Sequence, residues 1–148
     1  MTELLERELK DRFDIHDVMH LYARMVDRRQ WELQDQVFAP DAIIDYTSTG
    51  GQAGHYKESL KWLDSALEPW PLNLHFISNI EIQLNGDRAQ ATSYFNAPMG
   101  RKRKDDSQFI ITNAGYYEDD LIRSSEGWRI AKRVCQQTIM IVPPTVQK

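Results

Sequence analysis

The chain has 148 residues, of which 41% are hydrophobic and 10% aromatic. That suits a sizeable core, and nothing in the length divides it, so we expect one compact domain over 1–148. The formal net charge of −4 argues against a nucleic-acid-binding protein, because phosphate contacts need a basic face. The dense basic run from Arg101 to Lys104 is followed at once by Asp105 and Asp106, a pattern typical of a solvated hairpin tip.

The N-terminus and the cysteine content indicate a location. The opening "MTELLERELKDRFD" is charged from its third residue, so it lacks the apolar stretch of a signal peptide. No apolar run approaches the roughly 20 residues that span a bilayer. Cys135 is the only cysteine, which excludes an internal disulfide and fits a reducing compartment. We therefore expect a cytoplasmic protein without membrane contacts, in which Cys135 packs within a strand.

The first half of the chain predicts helices. Between Asp14 and Arg29, apolar residues recur at three- and four-residue spacing, which predicts one amphipathic helix. These residues are Ile15, Val18, Met19, Tyr22, Met25 and Val26. A shorter helix over "WELQDQVF" should end before Pro40, and "DAIIDYTS" then predicts a short strand. A third helix is predicted over "HYKESLKWLDSAL", closed by the "PWP" at 69–71.

From Leu72 onward the hydrophobic period changes to two, which predicts antiparallel strands over about 72–84, 88–99, 107–123 and 127–141. The "NGD" at 85–87 marks a tight hairpin turn. Helices followed by a strand meander predict an α+β layer structure with the helices on one face of the sheet. The other face should mediate self-association into a homo-oligomer, because the strands also carry apolar residues such as Ile110, Ile130 and Val134.

One strand suggests an interior cavity. Its in-phase residues are small at one end and larger at the other, namely Ala89, Ala91, Ser93, Phe95, Ala97 and Met99. This pattern fits the lining of a tapered cavity, and it fits plain core packing equally well. On the strand before it, "PLNLHFISNIEI" places His75 facing either solvent or that enclosed interior.

The segments "VDRRQW", "FAPDAIIDY", "LHFISN" and "GYYEDDLIRSSEGWRIAKR" resemble the SnoaL-like branch of the nuclear transport factor 2 (NTF2-like, cystatin-like) superfamily, and most of all its scytalone dehydratase-like members. The resemblance implies a cone of curved antiparallel or mixed sheet, closed by three helices around a pocket. In dehydratase-like members an aspartate ending the first helix and a histidine on the first long strand form the catalytic pair. Asp27 and His75 match those positions, and Tyr46 matches a tyrosine on the short strand.

Two positions depart from that pattern. Val26 stands where scytalone dehydratase has a tyrosine before the aspartate, and Met99 or Gly100 falls where it has a second histidine. Scytalone is therefore not the expected substrate. The resemblance leaves the pair of Asp27 and His75 in place but not the rest of that site.

The matched residues suit acid–base chemistry. A histidine can accept and return a proton near neutrality, and an aspartate bonded to its other ring nitrogen would fix the tautomer. Tyr46 could donate a hydrogen bond to an oxygen that gains negative charge. The alternatives are structural: Asp27 could simply bond a backbone group or pair with Arg28 or Arg29, and Tyr46 could be a core tyrosine with a satisfied hydroxyl.

The remaining predicted site residues would contact substrate and are Tyr22, Val26, Trp62, Phe95, Met99 and Asn113. His16 and His20 have the i, i+4 spacing of metal ligands, but no third ligand stands at a recognisable offset. The glycines of "STGGQAG" lack the lysine and the strand-to-helix context of a phosphate-binding loop. We therefore expect neither a metal nor another cofactor.

These features predict a cofactor-independent lyase or isomerase of the dehydratase type. His75 and Asp27 would abstract a proton from a small apolar substrate, aromatic or polyketide-like, in an enclosed pocket. The alternatives are a SnoaL-type polyketide cyclase that uses the same site, and a non-catalytic small-molecule-binding or accessory protein. An ionisable pair in an apolar cavity costs several kcal/mol unless it is compensated, and this favours an enzyme.

Overall fold

The computed structural model describes residues 2–144. Within them, three α-helices are followed or separated by strands of one sheet. The helices are α1 (Glu3–Asp27), α2 (Gln34–Val37) and α3 (Tyr56–Leu67). The strands are β1 (Phe38–Asp45), β2 (Ala53–His55), β3 (Leu72–Asn73), β4 (Phe76–Asn85), β5 (Arg88–Lys102), β6 (Gln108–Ser124) and β7 (Gly127–Ile141). Single 3₁₀ turns at Trp31–Leu33 and Thr47–Thr49 complete the order.

The sheet has the strand order β2-β1-β7-β6-β5-β3, and β4 also pairs with β5. Strands β1 and β7 run parallel, while the other paired strands are antiparallel. The sheet is therefore mixed and curved, it does not close on itself, and the predicted α+β architecture is confirmed. Along β5 exposed and buried residues alternate from Arg88 to Ala97, because the helices cover one face. We call the other face the outer face.

Helix α1 begins eleven residues before the predicted start at Asp14. The side chain of Thr2 accepts a hydrogen bond from the backbone N–H of Leu5, and Glu3 and Glu6 lie in the first turn. An N-cap and early acidic residues stabilise a helix terminus. The extension was missed because its leucines are exposed, Leu4 by 68%, so this part of the helix has no buried stripe to reveal its period.

The second helix and the strand after it were predicted with wrong bounds. Only Gln34–Val37 is α-helical, and β1 begins at Phe38, so that Pro40 lies inside the strand. The pairing of β1 with β7 is irregular between Phe38 and Ile43. A proline fits at such an irregularity because no ladder hydrogen bond needs its missing N–H.

The outer-face prediction was wrong for Ile130, which is completely buried. Residues Leu121 and Ile130 pair across β6 and β7, whereas the next pair is Asp120 and Lys132. Ala131 is therefore the extra residue of a β-bulge, and it shifts the alternation of β7 by one position. Val134 lies on the outer face as predicted, beside residues such as Glu118 and Gln90.

The tight turn predicted at "NGD" is confirmed, since Asn85 pairs with Arg88 and Gly86 has a φ of 62°. Glycine adopts that left-handed conformation without steric cost. Across residues 2–144, no helix combines the length and the apolar character needed to cross a membrane.

Candidate active site

The carboxylate of Asp27 and the imidazole of His75 form a hydrogen-bonded pair, which we call the dyad. Nδ1 of His75 lies 2.6 Å from Oδ1 of Asp27, and both side chains are largely buried, 8% and 14% exposed. Because an ionised carboxylate can only accept, Nδ1 carries the proton and the lone pair of a neutral ring is on Nε2. Nε2 has no hydrogen-bond partner among residues 2–144, and His75 lines an interior cavity.

The backbone around His75 explains how the dyad is held. His75 lies between β3 and β4 and not within a long strand as predicted. Leu74 still donates its backbone N–H to the carbonyl of Pro98, at 3.1 Å. The N–H of His75 instead donates to Oδ2 of Asp27, at 2.8 Å. The strand is interrupted at His75 because its backbone N–H bonds to the Asp27 carboxylate and not to the neighbouring strand β5.

The carboxylate of Asp27 accepts a third hydrogen bond. The side-chain amide of Asn73 donates to Oδ1 at 3.2 Å, so each carboxylate oxygen is engaged. The proposed structural alternative does not hold for Arg29, whose guanidinium donates to the carbonyls of Val26, Leu67 and Trp70 at 2.7 to 3.3 Å. Arg29 thereby joins the C-terminal ends of α1 and α3. Asp27 binds both the ring and the backbone N–H of His75, so the expected backbone bond and the dyad occur together, and no lysine or arginine within residues 2–144 pairs with it.

The cavity beside the dyad lies between the helices and the inner face of the sheet and has a volume of about 200 Å³. Most of its wall is apolar or aromatic, which is typical of small-molecule sites. It is lined by Tyr22, Tyr46, Thr49, Trp62, Leu63, Ala66, Leu67, Trp70, His75, Phe95, Ala97, Met99, Ile111, Asn113, Tyr117, Cys135 and Met140. Of the tapered set on β5, only Phe95, Ala97 and Met99 reach it, while Ala89, Ala91 and Ser93 are packed core.

Two tyrosine hydroxyls face each other in this wall. The oxygens of Tyr22 and Tyr46 are 2.7 Å apart. Burial raises the pKa of Tyr22, against the opposing charge of Arg133, and burial together with the neighbouring Tyr22 raises the pKa of Tyr46 well above its usual value. Both hydroxyls therefore stay protonated near neutral pH. One donates to the other, which leaves a single O–H free to donate to a ligand.

Tyr46 is held in place by the loop that follows it. Its ring packs against Trp62, with centroids 5.6 Å apart. Gly51 donates its backbone N–H to the carbonyl of Tyr46 at 2.9 Å. A Cβ at Gly51 would lie 2.8 Å from both Tyr46 and the Trp62 ring. Only glycine fits this approach, so the loop fixes the tyrosine against the cavity.

A buried ion pair between Arg133 and Asp119 packs against the rings of Tyr22 and Tyr117. The guanidinium of Arg133 binds Asp119 through two hydrogen bonds of 2.7 Å. Its central carbon lies 4.2 Å from the ring centroid of Tyr22 and 4.0 Å from that of Tyr117. Cation–π contacts of this kind are strengthened by exclusion of water. Arg133 thus fixes two rings of the cavity wall.

The predicted site residues divide as follows. Tyr22, Tyr46, Trp62, Phe95, Met99 and Asn113 all line the cavity with His75, and Asp27 contacts it through His75. Val26 is a correction: it is fully buried in the core and does not line the cavity. Val26 lies in the last turn of α1 and, like Met25, is packed in the hydrophobic core. The roles of the lining residues in substrate contact stay predictions.

Sequence reasoning missed Asn73, Trp70 and Tyr117. The strand pattern could have indicated Tyr117, which faces inward opposite Ser93. Asn73 and Trp70 carry no comparable signal, because they lie in a two-residue strand and in the connection before it. Asn113, which was predicted, has a buried side-chain oxygen without a hydrogen-bond partner in the described chain, so it can accept from a ligand.

Cys135 belongs to the cavity wall and to strand β7. Burial raises the pKa of its thiol to about 12. His16, which is partly buried, and His20, which is exposed, lie one turn apart on α1 with ring centroids 6.3 Å apart. In the part of the chain that the structure describes, no three histidine, cysteine or carboxylate side chains are grouped so as to hold a metal ion.

Comparison with known proteins identifies relatives along nearly the whole chain. An uncharacterized protein of Mycobacterium tuberculosis (strain ATCC 25618 / H37Rv) is 34% identical over 136 residues, which cover 90% of this chain and 91% of that protein. The crystal structure of a hexachlorocyclohexane dehydrochlorinase (LinA) of type 2 superposes with a TM-score of 0.79 at 17% identity, covering 95% and 94% of the two chains.

A protein of unknown function from Nostoc punctiforme with a cystatin-like fold superposes with a TM-score of 0.69 at 20% identity, covering 93% and 94% of the two chains. At these identities the structures show the fold alone, and they confirm the cystatin-like, NTF2-like architecture. The SnoaL-like domain matches residues 7–134 of this chain. Together with the mycobacterial relative, this match shows that the chain belongs to the SnoaL-like domain family.

Proposed function

We propose that the protein is a cofactor-independent lyase or isomerase in which the dyad abstracts a proton from a small, largely apolar substrate. The observation that carries this proposal is the 2.6 Å contact between Nδ1 of His75 and Asp27 at the wall of an apolar cavity. A binding protein would gain nothing from an ionisable pair at that place, where desolvation disfavours charge.

The dyad would act as base and orienting group. Nε2 of His75 takes the proton from a carbon next to a carbonyl, and the C–H electrons enter the carbonyl system as an enolate. Asp27 keeps the tautomer that leaves Nε2 basic and stabilises the imidazolium that forms. Asn73 and the backbone N–H of His75 hold the carboxylate in one orientation. The imidazolium then returns the proton to a leaving hydroxyl, which departs as water.

The tyrosine pair would stabilise the charge that develops on the carbonyl oxygen. Of the two hydroxyls, one has its proton free, and hydrogen bonding to its partner makes it a better donor. We assign this role to Tyr46 with Tyr22 as its partner. Such a donor, fixed before the reaction, is worth about 10²–10³ in rate. The same groups serve an isomerisation if the proton returns to a different carbon.

The cavity suggests the substrate class. A volume of about 200 Å³ suits a molecule of one or two rings, and the walls offer aromatic faces at Trp62, Phe95 and Tyr117. An aromatic or polyketide-like compound with a β-hydroxy carbonyl group fits both the walls and the chemistry. The dehydrochlorinase with the same fold is named for an elimination, which is the reaction class that we propose.

We also propose that the protein is a cytoplasmic homo-oligomer. The single cysteine fits a reducing compartment. At one end of the outer face, large apolar side chains are half exposed or more, among them Phe76 at 57% and Ile139 at 50%. A second copy of this chain would cover them.

The proposal is tested by mass spectrometry of compounds that co-purify with the protein, followed by a turnover assay on that class. A first assay substrate is 4-hydroxy-4-phenylbutan-2-one, because loss of water creates a conjugated enone with a new ultraviolet absorbance. Product analysis separates dehydration from aldol ring closure, which a SnoaL-type cyclase would catalyse with the same base. Ligand binding without turnover of any co-purifying class would contradict the enzyme proposal.

A further inference from the structure

The rim of the cavity carries an arginine, Arg101, that makes no salt bridge within residues 2–144. Arg101 on β5 pairs with Phe109 on β6, one row beyond the pair of Met99 and Ile111. Residues two apart on a strand share a face, so Arg101 and Phe109 continue the inner face on which Met99 and Ile111 line the cavity. Arg101 is exposed and lies one row beyond Met99, the last β5 residue that lines the cavity, so it stands at the cavity rim.

Aromatic rings hold this arginine in place. Trp70, itself part of the cavity wall, stacks on Phe109 with ring centroids 6.2 Å apart. The guanidinium carbon of Arg101 lies over both rings, 5.3 Å from the centroid of Trp70 and 5.6 Å from that of Phe109. We call Trp70, Arg101 and Phe109 the rim cluster. A guanidinium that rests on ring faces is positioned without using the N–H groups at its edge.

Those N–H groups have no partner in the part of the chain that the structure describes. Within residues 2–144, Arg101 donates no hydrogen bond and has no carboxylate within ion-pair distance. The neighbouring Arg103 differs, because it donates to the hydroxyl of Ser107 and the carbonyl of Gln108, both at 3.3 Å. The nearby carboxylate of Asp105 is engaged by Ser107, at 2.6 Å to its hydroxyl. Arg103 also lies over Phe109, at 5.2 Å, but its N–H groups are engaged, whereas Arg101 at the end of β5 is fixed by the rings and unpaired within residues 2–144.

The distance between His75 and Arg101 indicates how long a ligand that contacts both must be. Asn73 pairs with Met99, and Leu74 bonds to Pro98, so His75 lies level with Ala97. Arg101 is four residues further along the same strand, which corresponds to about 13 Å. His75 lines the cavity, and the Arg101 guanidinium lies over Trp70, which lines it too, so a molecule somewhat shorter than this would span from one to the other.

We propose that Arg101 binds a carboxylate at the far end of a substrate whose apolar part fills the cavity beside the dyad. The substrate class is thereby an aromatic or polyketide-like acid. This inference rests on the proposed function, because it assigns the substrate of the same site. A planar guanidinium with a free edge binds a carboxylate through two parallel hydrogen bonds, and the aromatic rings below exclude water from one side.

The test compares two ligands of equal shape by calorimetry, 4-phenylbutyrate and 4-phenylbutan-1-ol. The first is an anion and the second is neutral. The wild-type protein should bind the acid about tenfold more tightly than the alcohol, as one charge-assisted contact allows. Arg101→Gln should bind both ligands with similar affinity, while its affinity for the alcohol and its melting temperature stay near wild-type.

Lys104→Gln is the matched control. It removes the same charge at an exposed position three residues further on, in the turn after β5, and it should keep the preference for the acid. Arg101→Lys should keep part of it, because the charge remains but the paired donors do not. A wild-type protein without the preference, an unchanged preference in Arg101→Gln, or no binding of either ligand at millimolar concentration would overturn the inference.

This outcome is separate from the fate of the lyase proposal. Binding is measured without turnover, and His75→Gln should keep the preference for the acid. If no compound is turned over but the preference depends on Arg101, the anion site stands and the lyase proposal falls. If the neutral hydroxy ketone is dehydrated but the preference is absent, only the anion site is lost.

Discussion

The hydroxyl oxygens of Tyr22 and Tyr46 lie 2.7 Å apart in the wall of the cavity that His75 also lines. They come from α1 and from the turn after β1, and burial keeps both protonated. If Tyr46 carries the free proton, Tyr46→Phe should lower kcat by about 10²-fold with a small effect on KM. Tyr22→Phe should cost less than about tenfold, because Tyr46 can still donate. Steady-state kinetics of both variants measures this, and an unchanged kcat in Tyr46→Phe would contradict the assignment.

A second prediction concerns the attachment of the N-terminal half of α1. Asp11 accepts hydrogen bonds from the guanidinium of Arg123, one of them 2.7 Å long, and from the indole N–H of Trp128 at 3.1 Å. The hydrogen bonds from Arg123 lower the pKa of Asp11. A lowered pKa stabilises the fold above the ordinary value of 3.8, and this contribution is lost as the pH falls through the folded value.

Asp11→Asn should therefore lower the free energy of unfolding by about 1–3 kcal/mol near neutral pH and by less in acid. The control is Asp14→Asn, which removes a more exposed carboxylate paired with Lys10 one turn away and should cost about 0.3–0.5 kcal/mol. Urea unfolding at several pH values measures both. Equal losses of unfolding free energy in the two variants would show that the hydrogen bonds of Asp11 do not stabilise the fold more than an exposed ion pair does.

The third prediction uses the reactivity of Cys135 to report how readily solvent and reagents reach the cavity wall. Because burial raises its pKa to about 12, only about 10⁻⁴ of the thiol is ionised near pH 8. The thiolate is the reactive form, so a disulfide reagent such as Ellman's should modify the folded protein very slowly. In concentrated guanidinium chloride the single thiol should react at once. Fast, complete labelling of the folded protein would mean that the cavity wall opens readily.

Self-association through the outer face is the fourth prediction. Phe76, Tyr94 and Ile141 are 55–57% exposed on that face, while its other end carries Glu81, Thr92 and Glu118. Sedimentation at micromolar concentration should give a mass above that of one chain. Tyr94→Glu should shift it toward the monomer, whereas Thr92→Glu, two residues along the same face, should not. A monomeric wild-type protein would refute the prediction.

Much of the fold could be read from the sequence because the strands bury one face. The period of two in β5 and the turn at Gly86 are local signals that follow directly from burial and backbone sterics. The outward turn predicted for Ile130 failed because the bulge at Ala131 leaves no trace in composition. A bulge of this kind is set by pairing with the neighbouring strand, which a single sequence does not display.

The site divides in the same way. Asp27, His75 and Tyr46 were found through a resemblance to known relatives, and the structure places His75 and Tyr46 in the wall of one cavity, with Asp27 bonded to His75 behind it. Asn73 was missed because its amide reaches Asp27 only where the strand breaks before His75. Val26 was misplaced because the resemblance gives its position on α1 but not the direction of its side chain. Contacts made by irregular backbone require the tertiary structure.

The most direct test of the central claim measures turnover and melting temperature on the same variants of the dyad. Asp27→Asn keeps size but favours the wrong tautomer of His75, and it should lower kcat by several powers of ten, about 10⁴ in a comparable triad. His75→Ala should lose at least as much, and the double variant little more, because the two residues act as a unit. His16→Ala, on α1 and outside the cavity lining, is the control and should stay active. The account predicts inactive, folded dyad variants, whereas a folded His75→Ala protein with wild-type turnover would contradict it.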